Sequence, residues 1–117
     1  MFIEISFCGS VQVMSDNGES LLGSDSQQYL LDCVSQGDCE EACKFVLSVH
    51  KPTFNIVAIN PISNKYENRL ATDKEIQEVC EIVYFESETN FSDVDVAKTY
   101  LVWEAASNFQ QDVEDSI

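Results

Sequence analysis

Basic residues are the scarcest class in this 117-residue chain: six Lys plus Arg stand against 21 Asp plus Glu, giving a formal net charge of −15 at pH 7. The imbalance excludes direct binding to nucleic acid or to an anionic membrane surface, because the phosphate term that dominates such affinity would be repulsive. Only two Pro and four Gly occur, which excludes fibrous and low-complexity classes. No apolar run approaches the roughly 18 residues of a transmembrane helix. Histidine appears once, as His50, and there is no G-x-S-x-G elbow, Gly-rich phosphate loop, dinucleotide fingerprint or H-E-x-x-H pair. Neither an enzyme nor a cofactor is expected.

What the chain does contain is a globular composition, 44% hydrophobic and 10% aromatic, on a length that suits a single domain over residues 1–117. The opening Met1-Phe2-Ile3-Glu4-Ile5 has neither a basic n-region nor a long apolar h-region, so a secretory signal is not expected. Five cysteines, at positions 8, 33, 39, 43 and 80, are odd in number and irregular in spacing, unlike a disulfide scaffold. They read as reduced thiols packed as small hydrophobes in a cytoplasmic protein.

Phe2–Cys8 and Val11–Met14 are β-branched and aromatic with partial alternation and read as strands. Asp16-Asn17-Gly18, followed by Leu21-Leu22, predicts a hairpin turn there. Helical spacing of Tyr29, Leu30, Cys33 and Val34 follows N-cap residues at 24–26, with Gly37 as the stop. A second helix is expected from Asp38, with Ala42, Cys43, Val46 and Leu47 as its stripe up to Pro52. Thr53–Asn60 is the strongest strand signal and predicts a central strand with Ile56 and Val57 both buried. A polar, Asn-rich loop should come next. Thr72-x-x-Glu75 is a capping box, and Ile76, Val79, Cys80 and Val83 fall at i, i+3, i+4 and i+7, although Ile82–Phe85 would also serve as a strand. Ser92 and Asp93 introduce a longer helix that should fray from Asp112. The fold expected is α+β, a small mainly antiparallel sheet with helices on one face.

Cys39, Cys43 and His50 share a helical face, which raises a metal site. Structural zinc needs a second ligand pair that this chain lacks, so packed cysteines and a histidine at a helix end are the better reading. Asp16-Asn17-Gly18 lacks the acidic ligand spacing of a calcium loop.

Charge is the remaining signal, and it is uneven. Residues 1–50 carry a net −7, residues 51–72 a net +2 and residues 73–117 a net −10. Glu75, Glu78 and Glu81 recur every three residues, largely away from the apolar stripe of their helix, and their reversal should leave folding largely intact. With Asp73, Glu86, Glu88, Asp93 and Asp95 they form a stretch of eight carboxylates offset only by Lys74. Like charges at i and i+3 or i+4 cost a few tenths of a kcal/mol each, so the arrangement trades stability for a strong negative field. Solubility alone could account for it. The alternative is a surface that meets a basic partner.

Carboxylates at i and i+3 repeat about every 4.5 Å along a helix axis, on the scale of the charge spacing of a nucleic-acid backbone. In its small size, extreme acidity, thiol usage and lack of catalytic motifs, the chain resembles the anti-CRISPR and anti-restriction inhibitors encoded by phages and mobile elements. The resemblance is one of type, spread over the whole chain, and carries no fold and no functional residue with it. It implies an inhibitor that occupies the nucleic-acid site of a basic nucleic-acid-binding protein, a CRISPR–Cas effector or a restriction enzyme. An immunity or antitoxin-like partner of a basic nuclease toxin, or an acidic adaptor, would share the same surface.

Overall fold

The computed structural model describes residues 1–35, 39–87 and 89–116. Strands β1 (Phe2–Ser6) and β2 (Val11–Met14) are followed by helices α1 (Asp25–Asp32) and α2 (Cys39–Phe45), the latter running into a π-helical turn over Val46–His50. Strands β3 (Thr53–Ile59) and β4 (Tyr66–Leu70) then precede α3 (Asp73–Val83) and α4 (Val94–Asp115). The sheet order is β2-β1-β3-β4, with antiparallel outer pairs and a parallel β1–β3 pair. This is the α+β fold expected, mainly antiparallel, with helices packed against one face. The parallel pair follows from the path of the chain: β2 brings it back to the end of the sheet where β1 begins, and α1 and α2 then carry it past β1 to start β3 in the same sense.

Alternation decides which face is covered. Ile3 and Ile5 of β1 stand in register with Phe54 and Ile56 of β3, and all four are buried together with Val11 of β2. Against them lie Ala97, Leu101, Ala105 and Phe109 of α4 and Ile76, Val79 and Cys80 of α3, each set at helical spacing. Val57 points to the opposite face and is only half-buried, contrary to the expectation for a strand covered on both sides. On that open face Asn68 reaches across β3 to donate to Glu4 at 3.0 Å.

Four local expectations are corrected. The turn that joins the first two strands lies at Phe7–Ser10, where Gly9 takes φ +89°, because Val11 and Val13 pair with Ile5 and Ile3. Asp16-Asn17-Gly18 is a turn with no strand after it, its Asn17 Oδ1 accepting from the Glu19 amide at 3.1 Å. The expected polar loop contains β4, whose Glu, Asn and Arg have little strand propensity of their own and are recruited by pairing with β3. α3 runs through Ile82 to Val83, as the i+7 spacing expects, whereas α4 holds to Asp115 instead of fraying from Asp112, because Val113 still packs on the core. The expected stop at Gly37 and cap at Asp38 lie outside the described residues.

Candidate functional site

The acidic stretch begins at the first turn of α3. Thr72 Oγ1 accepts from the Glu75 amide at 3.2 Å while Glu75 Oε1 accepts from the Thr72 amide at 3.0 Å, closing the capping box. The same carboxylate receives both Nη atoms of Arg69 from β4, at 2.7 and 2.8 Å. This bidentate pair, with the Thr72 amide behind it, pulls the Glu75 pKa down to about 2. The Glu75 side chain keeps only 15% of its exposure, against 44% for Glu78. Glu75 therefore belongs to the fold rather than to a partner surface. Its reversal would not be neutral, which corrects the reading that grouped it with Glu78 and Glu81.

Beyond that first turn the burial of Ile76, Val79 and Cys80 turns Glu78 and Glu81 outward. They line a shallow groove of about 310 Å³ with Gln77, Phe91 and Ser92, and Gln77 Nε2 donates to the Ser92 carbonyl at 2.7 Å across it. Lys74, on the same rim, sits 3.8 Å from Glu78. The chain then runs past buried Phe91 into α4, where Asp93 is the N-cap and accepts from the Asp95 amide at 2.9 Å.

Asp93 and Asp95 stand on the rim of a larger cleft, about 1000 Å³, between α2 and the first half of α4. Its apolar lining comes from Leu47, Val96, Tyr100 and Trp103, and its far rim carries Glu40, paired to Lys44 at 2.8 Å. Tyr84, Phe91 and Tyr100 pack as a three-ring cluster with centroids 5.3 to 6.0 Å apart. The Tyr84 hydroxyl donates to the Tyr100 carbonyl at 3.0 Å and to Glu104 at 3.2 Å. Burial and the neighbouring Glu104 charge raise its pKa, so it stays a donor. The cluster ties Tyr84, at the end of α3, to Phe91 and to Tyr100 of α4.

Of the eight acids read from the sequence, Glu78 and Glu81 thus border one groove and Asp93 and Asp95 the other. Asp73 is exposed at the start of α3, and Glu86 is exposed just past its end. Glu88 lies outside the described residues. The cleft itself was missed. Trp103 falls two residues after Leu101 and one after Val102, off the face that Ala97, Leu101, Ala105 and Phe109 define. That offset, and its 39% exposure, mark it as a surface residue. A flat indole in a cleft rimmed by Asp93 and Asp95 suits a guanidinium or ammonium group.

Cys33, Cys43 and Cys80 are buried thiols, Cys39 is half-buried and Cys8 exposed. Burial pushes Cys80 up to about 12, whereas the Ser6 hydroxyl, 2.9 Å from the Cys8 sulfur, lowers the Cys8 pKa. His50 packs against Tyr29 and Phe45, with centroids 4.8 and 6.3 Å away. Among the described residues no group of three or more His, Cys, Asp or Glu is placed to hold a metal ion, and no helix is long and apolar enough to cross a membrane. Comparison with protein-family models, curated proteins and solved structures returns no match, so the functional reading rests on this chain's own residues.

Proposed function

We propose that the chain is a non-enzymatic, cytoplasmic inhibitor that binds a basic nucleic-acid-binding protein, a CRISPR–Cas effector or restriction enzyme, and blocks its DNA or RNA site by imitating phosphate charge. The observation that carries this reading is the placement of Glu78, Glu81, Asp93 and Asp95 along two neighbouring grooves whose nearby cations, Lys74 and Lys44, already face Glu78 and Glu40. Such a surface would be drawn to a Lys/Arg channel at high rate and would lose affinity as salt rises. The aromatic and aliphatic lining of the cleft favours a second reading, an immunity-type partner or adaptor into which a basic protein inserts an apolar or arginine side chain.

Pull-down from a host lysate identifies the partner, and competition then decides. Reversing Glu78, Glu81 and Asp95 together to Lys should weaken binding at least about thirtyfold. The same reversal at Glu19, Asp25 and Asp112 should change it little. Wild-type protein should be displaced by the partner's own DNA or RNA. A partner that holds nucleic acid and this chain at once would sink the mimicry, and tight binding that persists in high salt but fails on Trp103→Ala would favour the second reading.

A further inference from the structure

The two edges of the sheet differ in what meets their outward backbone groups. At β2 the Val11 carbonyl, turned away from β1, accepts from Asn108 Nδ2 of α4 at 2.8 Å. At β4 no strand or helix lies alongside among the described residues, and all five residues are exposed. The Asn60 amide donates to the Lys65 carbonyl and the Ala71 amide to the Phe54 carbonyl, both at 2.8 Å. Residues 65, 67, 69 and 71 therefore turn their backbone groups toward β3, and Tyr66, Asn68 and Leu70 turn theirs to the free edge. Of these, the Leu70 carbonyl meets Arg69 Nη1 at 3.2 Å, which leaves it a second lone pair.

Side chains on this edge are apolar on one face and charged on the other. Tyr66 and Leu70 are 76% and 65% exposed, beside Ile59 at 56%, on the open face of the sheet. Glu67 and Arg69 alternate onto the other face. Residues 51–72 also carry the net +2 of a chain that is otherwise strongly acidic. Two copies of a −15 molecule repel one another over most of their surface, and β4 is where they can approach.

We propose that β4 pairs antiparallel with β4 of a second copy about a two-fold axis through Asn68, joining the two sheets into one of eight strands. In this register Tyr66 stands opposite the second copy's Leu70, and Glu67 opposite its Arg69, each pair occurring twice by symmetry. Arg69 keeps 47% of its side chain exposed while holding Glu75, so donors remain for the facing carboxylate. Shifting the axis by one residue either way sets Glu67 against Glu67 or Arg69 against Arg69. Charges on an edge strand ordinarily block edge-to-edge pairing. Here they forbid the neighbouring registers and match in one. The proposal does not depend on the inhibitory reading; it adds that the acidic surfaces would act in pairs.

Sedimentation equilibrium on the full chain from micromolar to submillimolar concentration tests this directly. Wild type should reach twice the 13.2 kDa chain mass, and Glu67→Arg, which faces Arg69 with a like charge twice, should weaken association about tenfold or more. Register is read by oxidative crosslinking in a Cys8→Ser background. Asn68→Cys, at an expected Cα separation of about 5.5 Å across the axis, should form a covalent dimer, while Tyr66→Cys should not. Circular dichroism matched to wild type shows that each variant folds. A wild-type chain that stays monomeric throughout, a dimer indifferent to Glu67→Arg, or equal crosslinking at positions 66 and 68 would each overturn the proposal.

Discussion

At one end of the sheet, β2 is closed over by α4, which buries Val11 and takes its outward carbonyl; at the other, β4 has no cover among the described residues and shows Tyr66 and Leu70 to solvent. The amino acids do not differ in kind, since both strands mix apolar and polar residues. They differ in what the helical layer reaches. The covered end holds the fold's burial energy, and the open end holds side chains that fold without being buried. Charge follows the same division, with the net positive stretch on β3 and β4 and the net −10 stretch on α3, α4 and the segment between them.

The largest effect that would sharpen this contrast is on stability. Leu101, fully buried on α4, should cost about 3 to 4 kcal/mol when changed to Ala, because its side chain leaves a cavity among residues that cannot all close in. Leu70→Ala, the same chemical change at the open end, should stay within about 0.5 kcal/mol. Urea unfolding at protein concentrations too low for association measures both. Equal costs would show that β4 is covered in solution and would erase the distinction between the two ends.

The next effect concerns the seam between them, where Arg69 of β4 grips Glu75 of α3. Glu75→Gln keeps the shape but loses the charge, and should cost about 1 to 2 kcal/mol at pH 7 once solvent screening around the half-exposed guanidinium is allowed for. The folded carboxylate titrates at about 2 rather than its ordinary 4.5. Its contribution is therefore fully present above about pH 4.5 and is lost as pH falls toward 2. The stability gap between wild type and Glu75→Gln should narrow over that window and be flat above it. Glu81→Lys, six residues further on and exposed, should not carry that cost.

How much of this was legible in the chain follows from where each instruction is written. The α3 cap is spelled within four residues, Thr72 to Glu75, and both of its hydrogen bonds form. The strand Thr53–Ile59 and the stripe of α3 are equally local. β4 was not legible, because Tyr-Glu-Asn-Arg-Leu becomes a strand only through its partner β3. The acid surface was half legible: helical spacing turns Glu78 and Glu81 outward, but no periodicity reveals that Arg69, on a strand, removes Glu75 from their company. The cleft depends on α2 and α4 meeting across residues far apart in the chain, and only the misplaced Trp103 hinted at it.

Asn108 tests the cover at β2 on a smaller scale. Replacing it with Ala leaves the Val11 carbonyl without its donor at a partly buried site, and should cost about 1 kcal/mol. A cost near zero would mean that water serves that edge as well as α4 does, so that the two ends differ in packing but not in hydrogen bonding.

The smallest effect changes no stability and reads the open edge residue by residue. In dilute solution the amides of Glu67 and Arg69, directed at β3, should exchange with solvent at least about tenfold more slowly than those of Tyr66, Asn68 and Leu70, which face outward. The alternation should appear along β4 as a period of two. Raising the protein concentration should then slow Tyr66, Asn68 and Leu70 while leaving Glu67 and Arg69 nearly unchanged, since only a second chain can supply partners to the outward groups. Protection of all five amides at every concentration would instead mean that some part of the same chain already covers β4, and the two ends of the sheet would no longer be different in kind.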